Sequence, residues 1–246
     1  MIRECFKNPN FRVLWGAGAM TGIARAMEFL ALSLYALQEL GLPYLVTMIF
    51  AARMLPMSLF GIIIGTISER ISPLLLIKII YCLSNIFTFI CVVLVFTNQF
   101  NVIFAFILAF INGITWVVDL AVRRRVLVDN IKKSLLSSSL AMETLSNNAT
   151  RLIGPLCAGF LYAFVGLTGI FSLQLVMYIL ALLLIVRFEN NSINSAKNLY
   201  QKFSPIIKEH WAHGLLGEIL KTGKKAYSLV SLRFVLIITL IFNIFG

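Results

Sequence analysis

Five polar residues stand where an apolar chain should not carry them. Arg25, Glu28, Arg53 and Arg151 each interrupt or border a hydrophobic run, and Asn148 lies one helical turn before Arg151. Burial raises a carboxyl's pKa and so suits it to carrying a proton, while a nearby guanidinium lowers it again. A guanidinium is suited to gripping a carboxylate or phosphate with its fork of N–H donors. Arg25 and Glu28 are three residues apart, and two readings of them stay open. They form a neutral pair that holds helices together, or Glu28 carries a coupling proton while an arginine competes for it or for a substrate. Three arginines against one glutamate leave this level positive, which favours anionic or polar ligands. Asp119 and Arg123 form a second constellation, four residues apart on one helix face.

The elements that must position these residues are membrane spans. Of 246 residues, 60% are hydrophobic and 13% charged, against about 25% charged in a soluble domain. The fold class expected is an all-α polytopic membrane protein. Spans are expected at 11–37, 44–67, 74–96, 102–122, 134–165 and 170–186, each long enough for a hydrocarbon core of ~30 Å. Gly41-Leu-Pro43, Ser72-Pro73, Thr97-Asn98-Gln99 and Gly166-Leu-Thr-Gly169 supply the breaks. Counting from the outer turns at ~1.5 Å per residue puts Arg25, Glu28, Arg53 and Arg151 at ~15–21 Å, near the midplane, and Asp119 at ~27 Å.

The net charge of +11 encodes topology, and no nucleic-acid partner is expected. Arg3, Lys7 and Arg12 precede the first span, Arg70 and Lys78 flank the second break, and Arg123 to Arg125 with Lys132 and Lys133 follow the fourth span. The turns after spans one, three and five hold no Lys or Arg. The N-terminus is therefore expected in the cytoplasm, with residues 1–10 cytoplasmic and 11–188 a six-span bundle. Residues 189–232 read as a basic cytoplasmic linker with an amphipathic helix around Leu215 to Lys224, lying either at the membrane interface or in solvent. Residues 233–246 read as a partial seventh span, since the apolar run Phe234 to Phe245 covers only ~20 Å. That leads to the expectation of a fragment or truncated reading frame.

Chemistry beyond this is sparse. The four cysteines have no metal or redox spacing, and His210 and His213 lack a third ligand, so no metal is expected. GxSxG, HExxH and P-loop patterns are missing from the sequence, so no enzyme activity and no cofactor are expected. Gly18 with Gly22, and Gly61 with Gly65, have the spacing that lets helix backbones approach. Gly154-Pro155 with Gly159 has the composition to pack and bend the fifth span.

Gly61-Ile-Ile-Ile-Gly65-Thr-Ile-Ser-Glu69-Arg70-Ile-Ser72 resembles the loop between helices two and three of the major facilitator superfamily, usually written G-x-x-x-D-R-x-G-R-R/K. Gly65, Glu69 and Arg70 match; Ser72 replaces the second glycine, and the terminal basic pair is missing. Met54-Leu55-Pro56 is similar to the Leu-Pro of drug-efflux-like members. Val118-Asp119-Leu-Ala-Val-Arg123-Arg124 and Ser146 to Gly159 resemble helices four and five of prokaryotic multidrug- and siderophore-exporter-like permeases. The resemblance implies the N-terminal six-helix half of such a transporter, built from two three-helix repeats, in a prokaryotic cytoplasmic membrane. It implies proton-coupled efflux of a small molecule by alternating access, and a cytoplasmic gate of Gly65, Glu69, Arg70, Asp119 and Arg123. Full members carry about twelve spans in two halves, so the chain as an inactive half, or one needing a partner C-terminal half, is the alternative.

Overall fold

The computed structural model describes the backbone of residues 2–70, 72–131 and 133–210, and side-chain packing at 4–56, 72–128, 131 and 135–188. Among the described residues every regular element is helical. The chain forms two compact units, Met1–Ile193 and Asn194–Gly246. The amphipathic stretch at 215–224, His213 and the apolar run 234–245 lie outside the described residues.

A short helix α1 (Ile2–Cys5) leads into α2 (Pro9–Leu34). The start of α2 follows from its sequence. Pro9 at the first helical position needs no N–H partner, and the Asn8 side chain accepts from Asn10 N at 3.0 Å. The helix ends in a π-helical turn, Tyr35–Glu39. Gly41, with φ 65° and open space around it, then turns the chain into α3 (Pro43–Arg70). α4 (Pro73–Phe96) opens on a second proline. α5 (Val102–Asn130) is capped by Asn101, whose side chain accepts from Ile103 N at 3.0 Å and Phe104 N at 3.2 Å.

The helical run α6 (Lys133–His210) is broken at Gly166, where φ 69° and ψ −159° leave the helical region. Packing against α2 shows what the break does. Before it, Gly22 faces Thr150 and Leu30 faces Gly159, so this arm runs parallel to α2. After it, Glu28 meets Gln174 and Gly16 faces Leu184, so the second arm runs antiparallel. The chain therefore doubles back at Gly166, a conformation that a side chain would strain. The apolar segment Leu135–Phe188 is 54 residues long, roughly 80 Å of helix, which two passes through a ~30 Å core accommodate. Pro9–Glu39, Pro73–Phe96 and Val102–Val128 are also long and apolar enough to cross, and Pro43–Pro56 is a shorter apolar stretch.

The bundle buries two apolar clusters with a polar layer between them. One gathers Phe11, Leu14, Ile77, Tyr81, Val122, Leu127, Ile185 and Phe188. The other gathers Met27, Leu32, Tyr35, Ile49, Leu108, Ile170 and Phe171. Between helices in lipid these side chains contribute van der Waals packing and not a hydrophobic driving force. The polar layer holds Thr21, Arg25, Glu28, Arg53, Ser84, Thr88, Asn112, Thr115, Asp119 and Gln174, all buried. Large apolar side chains such as Phe89, Phe96, Ile103, Leu152, Leu156, Phe160 and Phe164 are exposed, as befits a surface that faces lipid.

Candidate functional site

The polar layer is centred on α2. Arg25 and Glu28 are buried there, at 6% and 1% exposure. They do not pair with each other. Arg25 donates Nε to the carbonyl of Thr21 at 3.1 Å and Nη2 to Asp119 Oδ2 on α5. The direction follows from helix geometry: side chains lean toward the helix N-terminus, so Arg25 leans away from Glu28. An arginine preceding its carboxylate is also the weaker order for a helical pair.

The same lean explains Asp119. Gly18 lies against Arg123, Arg25 against Asp119 and Glu28 against Asn112, so α2 and α5 are antiparallel. Side chains on antiparallel helices that each lean toward their own N-terminus lean toward one another. Residues separated by depth along the backbone therefore meet at their tips.

Asp119 is fully buried and holds three partners. Besides Arg25, Tyr81 Oη on α4 donates to Oδ1 at 2.9 Å, and Arg123 Nη2 lies 3.5 Å from Oδ2. Arg123 in turn places Nε 3.2 Å from Glu143 Oε1 on α6. That last approach is a charge contact and not a hydrogen bond, because both atoms lack an aligned partner. Two cations, Arg25 and Arg123, thus balance two anions, Asp119 and Glu143. Such a buried quartet is weak evidence of net stability, yet removing one member leaves a charge uncompensated.

Glu28 belongs to a second group. Its Oε2 accepts from Asn112 Nδ2 on α5 and from Gln174 Nε2 on α6, the latter at 2.7 Å. Its Oε1 has no partner, and neither do Asn112 Oδ1 and Gln174 Oε1. Ser84, Thr88 and Tyr178 line a small cavity with Glu28 and Asn112. The carboxyl group therefore has donors on one oxygen and open acceptor capacity on the other.

Arg53 on α3 is buried at 8% exposure. Its Nη1 donates to the carbonyl of Arg25 at 3.3 Å, and its Nε has no partner. Its guanidinium lies over two rings, Phe29 at 5.7 Å and Trp116 at 5.4 Å. Arg151 is exposed on α6, with its guanidinium 5.9 Å from the same Trp116 ring. Asn148 is exposed one turn earlier on the same helix.

The glycines do different jobs. Gly154 is buried where a Cβ would strike Ala26 and approach the carbonyl of Ile23 at 2.9 Å. Pro155 is half-buried, and Gly159 is exposed beside Leu30. Gly113 meets the backbone of Arg53 and the ring of Pro56, which lets α3 and α5 touch. Gly65, Glu69 and Arg70 lie at the end of α3, outside the residues whose packing is described.

The structure brings Arg25, Glu28, Arg53, Asp119 and Arg123 into one buried layer and leaves Asn148 and Arg151 at its exposed edge. Sequence reasoning missed Tyr81, Asn112 and Gln174. A single tyrosine or amide in an apolar span carries no periodic signal, although an amide at membrane depth is itself a mark worth following.

A model of the transmembrane secretion effector family, of the major facilitator superfamily, matches residues 4–212. No curated protein and no solved structure matches the chain. The chain belongs to that family of transporters, and its long apolar helices make it an integral membrane protein.

Proposed function

We propose that the chain is a secondary active transporter that moves a small molecule outward by alternating access, driven by protons. The supporting observation is Glu28. It is a buried carboxyl at the junction of α2, α5 and the second arm of α6, with one oxygen bonded and one open. A group so placed binds or releases a proton with little rearrangement of its amide donors. Arg25, Arg53, Arg151 and Asn148 complete the cavity wall in this reading.

The bundle is read as six passes, arranged as two three-helix repeats, with α6 supplying the last two. The charge asymmetry of the turns favours a cytoplasmic N-terminus, and the resemblance to prokaryotic permeases favours a prokaryotic cytoplasmic membrane. Asp119 and Arg123 belong to a cytoplasmic gate with Gly65, Glu69 and Arg70. Their quartet with Arg25 and Glu143 is the kind of charge cluster that breaks and re-forms as a bundle rocks.

The test is reconstitution of the full chain in proteoliposomes with an imposed pH gradient and a panel of fluorescent small molecules. Substrate movement coupled to proton movement supports the reading. Movement that occurs only after addition of a second half supports the alternative, a half that needs a partner. Substrate flux with no proton movement under any gradient overturns the coupling.

A further inference from the structure

Among the described residues, two guanidiniums of this layer have no carboxylate within ion-pair distance, and the charge of Glu28 acts on Arg53 only from farther off. The quartet of Arg25, Arg123, Asp119 and Glu143 is balanced. Glu28 spends its bonded oxygen on amides. Arg53 and Arg151 are left facing one indole, Trp116, at 5.4 Å and 5.9 Å from its centroid. Even with Glu28 ionised, Arg53 and Arg151 outnumber it, so the level carries one surplus positive charge. An uncompensated guanidinium at membrane depth is costly, and an anion brought to it is correspondingly favoured. Arg53 is nine-tenths buried and keeps its Nε donor unused.

The rings around these cations narrow the class further. Arg53 also lies over Phe29, at 5.7 Å, and Phe29 is itself braced edge-on by Phe50 at 5.7 Å. The guanidiniums lie over the ring faces, so a face opens to a ligand when a guanidinium turns from the ring toward an anion. A guanidinium fork matches a carboxylate bidentately, and an indole or phenyl face accepts another ring in offset stacking.

We propose that Arg53, Arg151, Trp116 and Phe29 form a recognition site for a small aromatic anion, a ring system bearing a carboxylate or an equivalent oxyanion. The assignment rests on the transport reading for its purpose, but not for its binding chemistry. The oxyanion draws a guanidinium off its ring, and the ligand's ring stacks on the face of Trp116 or Phe29 so freed. The oxyanion takes the free Arg53 donor and the exposed guanidinium of Arg151.

Binding of three isosteric probes to the full chain in phosphatidylcholine nanodiscs tests this. 2-Naphthoate is expected to bind at least about tenfold more tightly than 2-naphthamide or 2-naphthylmethylammonium. Arg151→Gln, at an exposed position, should fold and weaken 2-naphthoate about tenfold while leaving 2-naphthamide unchanged, and Arg151→Lys should recover part of the loss. Arg53→Gln should act in the same direction. Equal binding of the three probes, or preference for the ammonium, overturns the site. Displacement of 2-naphthoate by phosphatidylglycerol in the nanodisc also overturns it, since a lipid headgroup would then be the occupant. Because binding needs no flux, loss of the anion preference leaves the transport reading standing. Absence of flux with the preference intact sinks transport and not the site.

Discussion

Gly18 leaves the space that the Arg123 guanidinium fills. A Cβ at Gly18 would overlap the head of Arg123 and come within 3.2 Å of its Nε. The small residue here serves a side chain and not a backbone approach. Gly18→Ala is expected to push Arg123 off Asp119 and Glu143 and to destabilise the protein by about 1–3 kcal/mol. Gly16→Ala is the control: its added methyl meets only Leu184 Cδ1 at 3.6 Å, and improved helix propensity makes it neutral or stabilising by up to ~1 kcal/mol. Thermal unfolding in detergent, followed by size-exclusion fluorescence, separates the two. Equal melting temperatures would show that Arg123 has room to move.

Asp119→Asn should be far more damaging. It strands Arg25 and shifts all of Arg123's compensation to Glu143, at an expected cost of about 3–5 kcal/mol. Arg25→Met combined with Asp119→Leu should recover much of that loss, because Arg123 keeps Glu143. A double-mutant cycle on melting temperature measures the coupling; additive losses would mean the pair is not energetically linked.

Glu28→Gln should leave folding nearly intact. The glutamine carbonyl still accepts from Asn112 and Gln174. In reconstituted vesicles it should abolish the response of substrate flux to a pH gradient while melting shifts by less than ~1 kcal/mol equivalent. Transport that follows the gradient as in the unmodified protein would remove Glu28 from the coupling role.

Tyr81→Phe removes one donor from Asp119 Oδ1. The expected loss is about 1–2 kcal/mol, smaller than for Asp119→Asn because both arginines remain. Chemical denaturation in mixed micelles resolves a difference of this size, and a loss as large as that of Asp119→Asn would mean Tyr81 also holds the helices apart or together by packing.

The helices were legible because turn residues mark their ends. Gly41-Leu-Pro43, Ser72-Pro73, Thr97-Asn98-Gln99 and Gly166 separate helices where the sequence marked breaks, whereas the caps Asn8 and Asn101 were not singled out. The polar level was legible in part: burial of Arg25, Glu28 and Arg53 follows from charge at membrane depth. The pairing was not. Depth counted along Cα atoms put Arg25 and Asp119 on different levels, whereas a long side chain and opposed leans bring their tips together. Asn112, Gln174 and Tyr81 escaped because what singles them out is a partner on another helix, which no local pattern records.

Arg25 and Asp119 are 94 residues apart in the chain. A ribosome feeding this protein into a membrane delivers Arg25 first and its counter-ion three helices later. Until then the first long helix carries a charge that opposes insertion by at least ~2.5 kcal/mol. That helix is therefore expected to settle only when α5 arrives. A stop codon placed between α4 and α5 should then yield a product that is degraded and not one that is merely shorter.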